Sequence, residues 1–489
     1  MESSEFDEDL AFAAESTVKR RANLRSARQG DAGMVRELAR RLLATDAHLR
    51  SFQDDKIATV ASKVAVGLMA VLIILFRWPH IHLPLAFISG FQPIGRFETS
   101  GVMPSVTPAF CPSKEELLHG ASSTLADLPA RPQKENEFLW DDAEAGIQRG
   151  WTSARLTKED LDKLFGIERW APCPNFCVIG SKKRQIVDAL RGKHNLHSAQ
   201  DEAIVLCTPL QPGACAKLLH REMSKLGQKT FEEGHVLESG TEDMPDAYKF
   251  CPIQAGDRNT NISAVQHPTS LKWYFIVHYV LIFGYVNSVY AFGCLSRFLD
   301  AISVRLLQVM WCMFYDDGSL QDLKCARGSG QAAVKELVEL LGFGFKESKS
   351  QPMSSESTFL GLSHEVSHAL DAEGFVEFKP REGLVEKAAA SIEERLTAGT
   401  TTPAQASKLC GLVKFLALGL YNGVALAALG PLQQRQYFDS EPWANSSVHY
   451  IIFAVPQAGH GKHPSSAVQL QDQFRKHHHR GNGCASGSR

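Results

Sequence analysis

Along this chain the period of the apolar positions changes repeatedly, and each change predicts a change of element. Residues 1–55 are mostly polar, and within them KRRANLRSARQGDAGMVRELARRL carries apolar residues at helical spacing, with a break expected at Gly30. The next segment, IATVASKVAVGLMAVLIILF (57–76), is continuously apolar from Val64 to Phe76, thirteen residues. A membrane span needs roughly twenty, so this run predicts a buried helix. A transmembrane helix is the alternative, with Lys63 snorkelling and the basic flank on the cytoplasmic side. From 80 to 180 short apolar patches alternate with Pro, Gly and Ser clusters. Within them LTKEDLDKLFG predicts a short helix with Thr157 as N-cap and Asp160 at the capping-box position.

FCVIGSKKRQIVD predicts a strand split by a basic turn, followed by a loop-rich stretch to about 238. The block 260–345 alternates signals: NISAVQH and WYFIVHYVLIF as strands, VYAFGCLSRFLDAISVRLL as a helix, VMWCMFY as a strand, AAVKELVELLG as a helix. That order predicts an α+β domain with an antiparallel sheet. Residues 383–437 read as helical, and beyond 440 periodicity is lost, which predicts a disordered tail over 438–489.

Composition changes this picture little. The formal net charge of −2 neither favours nor excludes a nucleic-acid partner, because local patches decide that. Residues 19–41 hold eight Lys/Arg against Asp31 and Glu37, a stretch read as solvated by default, with phosphates or an anionic membrane as alternatives. The eleven cysteines follow no repeating spacing, and Cys173 and Cys177 lack a second pair to complete a zinc site. They read as reduced thiols of an intracellular protein of the nucleus or cytoplasm. The opening MESSEFDEDL is acidic, unlike a secretory signal.

The chemistry concentrates in MFYDDGSLQDL (313–323), where Asp316 and Asp317 directly follow a long apolar run. Asp-Gly between apolar-patterned segments predicts a hairpin with the carboxylates at its tip. Two like charges held so close call for a cation, and oxygen ligands suit magnesium.

Several stretches, taken in order, resemble reverse transcriptases. GTEDMPDAYKF, with Asp243 opening D-x-x-D-A-Y, is similar to the first carboxylate motif of that family, and FYDDG to its second. LIFGYVNSVYAF, with Gly284, Ser288 and Phe292 at four-residue intervals, resembles the family's loop-helix, and LGFGFKESKSQ and FLGL follow in order. KKRQIVDALRGKHN resembles the basic fingers hairpin that ends in an Asp and, a few residues later, an Asn. The DDG ending and the block ASKLCGLVKFLALGLYNGVALAALGPLQQRQY are nearest to DIRS-like retroelements, and the likeness spans about 110 to 437.

The resemblance implies a polymerase right hand with an N-terminal helical extension (1–55) and an apolar helical segment and linker (56–109). Fingers (110–238), a palm with an antiparallel sheet (239–370) and a helical thumb (371–437) would follow. It implies an RNA-directed DNA polymerase using two magnesium ions, with manganese as the alternative, on an RNA or DNA template with primer and deoxynucleoside triphosphates. Asp243, Asp316 and Asp317 would be the metal ligands, and Lys349, with Lys346 nearby, would protonate the departing pyrophosphate. Lys182, Lys183 and Arg184 would grip the triphosphate, Tyr248 would exclude a ribose 2′-hydroxyl, and Gly284 would let template or nucleotide approach the backbone. The chain departs from the family at Pro245, expected inside the first carboxylate strand, at Ile282 where a Pro is usual, at IVDA where relatives tend to carry two acids, and at KF after Tyr248. No ribonuclease H or recombinase signature follows residue 440, as expected of a piece of a larger element or a decaying copy. A catalytically decayed nucleic-acid-binding protein, with Asp243 displaced by Pro245, is the competing expectation.

Overall fold

The computed structural model describes residues 5–128, 135–180, 183–227, 235–371, 374–419 and 429–437. In chain order its strands are β1 (Gly95–Arg96), β2 (Pro172–Ile179), β3 (Lys183–Val187), β4 (Ser198–Ala199), β5 (Leu237–Asp243), β6 (Ile262–Gln266) and β7 (Trp273–Val277). They continue with β8 (Met310–Phe314), β9 (Asp317–Leu323), β10 (Gln351–Ser354), β11 (Glu356–Phe359), β12 (Leu362–Glu365) and β13 (Glu377–Pro380). The sheet that matters most has the order β10-β5-β9-β8, every pair antiparallel. A second, mixed sheet, β3-β2-β6-β7, is assembled from the basic hairpin and the NISAVQH and WYFIV strands. β11-β12-β13 form a third sheet, and β1 and β4 a short parallel pair.

One core joins the first sheet to helices Val66–Leu75, Gln211–Ser224, Val286–Leu307 and Ser329–Leu340. The Val286–Leu307 helix is buried on nearly all sides, which explains why its sequence is apolar beyond a single stripe. The helices Leu384–Ala398, Pro403–Gly419 and Gly430–Tyr437 close a separate small core around Ile392, Leu409, Val413 and Leu432. The expected tail, 438–489, lies outside the described residues.

The N-terminal region is part of the main core. Leu10, Ala13, Ala14 and Val18 of helix Glu5–Lys19 and Leu24 and Val35 of helix Leu24–Arg50 are buried in it. The break expected at Gly30 is absent: helix Leu24–Arg50 runs straight through, and the chain turns instead between Lys19 and Leu24. The basic run is left largely to solvent, as expected, with Lys19, Arg20, Arg25, Arg36, Arg40 and Arg41 exposed, but Arg28 is the exception. Arg28 is buried and donates to Asp322 of β9 at 2.5 Å and to Ser329 Oγ at 3.2 Å, Arg36 donates to Glu336, and Arg40 and Arg41 bind Glu37. A buried pair of this kind is weak evidence for stability, but removing one partner leaves a charge in the core.

The apolar segment becomes the ten-residue helix Val66–Leu75, about 15 Å long, half a bilayer's hydrocarbon thickness. No described helix is long and apolar enough to cross a membrane. The segment is pinned inside: Asp46 accepts from the Gly67 amide at 2.6 Å, and the Ala65 amide donates to Leu341 O at 3.1 Å.

Two local readings hold and one fails. Thr157 and Asp160 form the full capping box at the start of Lys158–Phe165. The basic hairpin pairs as expected, Asn175 opposite Val187 through Ile179 opposite Lys183. The stretch expected to be loops contains the helix Gln211–Ser224. Pro212 and Gly213 at its head look like breakers, yet Pro212 lies in the first turn, where its missing N–H is no loss.

Candidate active site

The site forms at one end of the β10-β5-β9-β8 sheet. Asp243 is the last residue of β5 and stands directly opposite Asp317, the first of β9. The Met244 amide donates to Asp316 O at 2.8 Å, which continues the ladder by one bond and makes Asp243–Asp317 a non-hydrogen-bonded pair. In such pairs the Cα atoms lie about 4.5 Å apart and the side chains are closest. The sheet thus brings together two carboxylates far apart in sequence.

The β8–β9 turn falls two residues earlier than Asp317-Gly318 predicts. Phe314 pairs with Asp317, so Tyr315 and Asp316 form the two-residue loop. Two-residue hairpin loops favour positive φ, and Tyr315 supplies it with φ +52°. Such a conformation at a bulky residue is a strained outlier. Gly318 serves packing inside β9: a Cβ there would stand 2.1 Å from the buried Trp311 indole.

Of the three acids in this space, Asp316 and Asp317 are raised. Asp317 is pushed up to about 6 by burial and then by the negative charges of Asp316 and Asp243. Asp316 is raised by burial first and by Asp243 after it, while Lys349 and Arg184 pull it down. Asp243 is buried; its Oδ2 accepts from the Lys349 ammonium and its Oδ1 has no partner. Lys346, the alternative to Lys349, contributes its backbone amide to Asp243 O at 2.8 Å.

The other expected residues divide. Tyr248 is buried in the turn Ala247–Phe250, its ring edge-on to Phe283 at 4.5 Å and to Phe292 at 5.6 Å. Burial, then Tyr315 and Asp316, push its phenol up to about 12, which sets it beside the loop. Arg184 is exposed on β3, its charge felt at Asp316. Lys183 is held by Glu135 instead, and Lys182 lies outside the described residues. Gly284 has φ +114°, but the backbone that approaches it belongs to the protein: a Cβ would stand 1.9 Å from Val187 O.

That contact is locked by Asn195, the Asn of the basic hairpin motif. Its Nδ2 donates to Gly284 O at 2.9 Å and its Oδ1 accepts from the Val286 amide at 3.0 Å, while the Val187 amide donates to Phe283 O at 3.1 Å. The hairpin bearing Arg184 is thereby fastened to the start of the long helix. Pro245 lies beyond β5, in the turn after Met244, and not inside the strand as expected. It removes no ladder donor, because the strand's last bond is made by Met244.

Among the described residues no three or more His, Cys, Asp or Glu side chains are gathered as a ready cation cage. Magnesium does not require one: it is commonly held by one or two carboxylates completed by substrate phosphates and water. The unpartnered Asp243 Oδ1 and the raised pair Asp316 and Asp317 are hard oxygen donors suited to such an ion. The described cysteines are free thiols, and Cys173 is buried against His194 Nδ1 at 2.9 Å.

No protein-family model and no curated protein matches the chain. Solved structures that overlap it include a foamy viral protease–reverse transcriptase in complex with an RNA/DNA hybrid, at 12% identity and TM-score 0.43, covering 74% of this chain and 40% of that one. Another is a foamy viral protease–reverse transcriptase in complex with double-stranded DNA, at 12% identity and TM-score 0.39, covering 82% of this chain and 60% of that one. This chain spans less than two thirds of either protein, and overlaps of this size leave its site to be argued from its own geometry.

Proposed function

We propose that the chain is a template-directed nucleotidyl transferase, an RNA-directed DNA polymerase of retroelement origin, with the DIRS-like motif pattern as its nearest relation. The observation that carries the reading is the register that sets Asp243 opposite Asp317, with Asp316 in the adjoining loop and Lys349 on Asp243. A merely solvated turn would not bury like charges against one another, since each raises the other's cost of ionisation.

In the proposed reaction the primer 3′-oxygen forms a bond to the α-phosphorus as the bond to pyrophosphate breaks. Asp243 and Asp316, with Asp317 alongside, would hold magnesium, which when bound offsets charge on the attacking and leaving oxygens. Lys349 is the proton donor nearest the carboxylates, and its ammonium can pass from Asp243 Oδ2 to the departing pyrophosphate. Arg184 offers bidentate donors to the triphosphate, with Lys182 and Lys183 beside it in sequence. Tyr248, wedged between Phe283 and Phe292, is rigid enough to exclude a 2′-hydroxyl.

The competing reading, a decayed binding protein, drew its main support from a proline inside the carboxylate strand. With Pro245 beyond β5, that support falls away. The test is extension of oligo(dT) on poly(rA) by the purified chain with dTTP and magnesium. Template-dependent product supports the proposal; none, from a folded protein that binds the duplex, favours the binding reading.

A further inference from the structure

β8 is the edge strand of the carboxylate sheet, and the long helix covers that edge. The register decides which groups of β8 lack a strand partner. Phe314–Asp317 and Cys312–Ser319 flank the tight loop as hydrogen-bonded pairs, so Met313, opposite Gly318, turns its amide outward. An outward amide on a buried edge must find another acceptor.

The helix supplies polar groups at two positions one turn apart. Ser296 is buried and its Oγ donates to Tyr315 O at 2.8 Å. Asp300, four residues on, is fully buried, and the Met313 amide faces its carboxyl. Burial pushes that carboxyl up to about 7, Asp9 adds to the rise, and Arg297 and the Met313 amide oppose it. Arg297 Nη1 reaches Oδ2 at 3.4 Å, while Oδ1 is left without a partner. Within LSRFLDAI a buried serine and a buried aspartate cost stability unless their partners repay it.

We propose that Ser296 and Asp300 are positioning residues that clamp the β8–β9 loop from the helix side and so fix where Asp316 and Asp317 stand. Ser296 holds the carbonyl of Tyr315, the residue with positive φ, immediately before Asp316. Asp300 faces the outward amide of Met313, two residues earlier in the strand. Together they restrain the β8 side of a strained loop at an edge that no further described strand supports. The inference rests on the polymerase reading for its kinetic consequence, but its structural half does not.

The test uses the full chain with Ser296→Ala, Asp300→Leu and Asp300→Asn. Displacing reacting groups by about 1 Å can cost on the order of a hundredfold in rate. Ser296→Ala and Asp300→Leu are therefore expected to lower kcat for dTTP incorporation by about tenfold or more, with KM little changed. Asp300→Asn, which keeps an acceptor oxygen facing Met313, should stay close to wild type. Amide exchange over 313–317 should quicken in the first two variants and not in the third. Unchanged exchange in Ser296→Ala and Asp300→Leu overturns the clamp, as does an Asp300→Asn protein as damaged as Asp300→Leu. A lowered melting temperature with kcat per folded molecule unchanged reduces both residues to packing and also overturns it. If wild type incorporates no nucleotide, the polymerase reading fails, and the exchange data still decide whether the clamp exists.

Discussion

Replacing Gly284 with alanine should be among the most damaging single-methyl changes available in this chain. Its φ of +114° is a conformation that costs a non-glycine residue about 1–3 kcal/mol. The added Cβ would also stand 1.9 Å from Val187 O, a backbone atom that cannot rotate away. Relief requires the end of β3 to move, and two bonds hold it there: Val187 N–H to Phe283 O and Asn195 Nδ2 to Gly284 O. At about 1 kcal/mol each, these bring the expected loss to about 3–5 kcal/mol, against a typical total of about 5–15 kcal/mol. Gly30→Ala is the control. Gly30 lies inside the Leu24–Arg50 helix with nothing within 4 Å of a Cβ, so the same methyl should stabilise by about 0.5–1 kcal/mol. Urea midpoints give the two signs, and amide exchange at Val187 locates the damage. A Gly284→Ala protein within about 0.5 kcal/mol of wild type, with Val187 still protected, would refute the claim that the basic hairpin and the helix start are locked at this contact.

Further outcomes follow from the site. Pro245→Lys should leave the extension rate within about twofold of wild type, because Pro245 is not in the strand; a large gain would revive the idea that proline displaces Asp243. Tyr248→Ala should raise the ratio of rNTP to dNTP incorporated, and an unchanged ratio in an active enzyme would remove the residue from the site. Asp317→Asn should stabilise the chelator-treated protein at pH 7. Its folded pKa of about 6 lies above the ordinary value, so the folded state binds the extra proton and ionisation destabilises it as pH rises. The advantage of asparagine should therefore fade as pH falls from about 6 to about 4. A difference between the urea midpoints that does not change with pH would contradict this.

How much of this was legible in the sequence depended on the range of the interaction. The capping box at Thr157 and Asp160 spans three residues and could be read directly. The hairpin was placed by its apolar strands, but its loop slipped by two residues because Gly318 answers to the Trp311 ring and not to turn geometry. Asp243 and Asp316 were legible as motif residues, while their opposition across β5 and β9 emerges only from register. Arg28 looked solvated because its partner, Asp322, lies far along the chain. Gly284 was singled out as a glycine that template or nucleotide approaches, whereas the group packed against it, Val187 O, is set by tertiary packing. Ser296 and Asp300 carried a faint signal, polar residues in a helix that is buried all round.

The central claim is that Asp243 and Asp316 work as one metal-holding site for nucleotidyl transfer. Primer extension on poly(rA)·oligo(dT) by wild type, Asp243→Asn and Asp316→Asn, each confirmed folded, tests it most directly. The account predicts template-dependent product from wild type and a loss of more than about a hundredfold in either variant, since each removes a ligand. A wild type that extends primers while Asp243→Asn extends them equally well would contradict it.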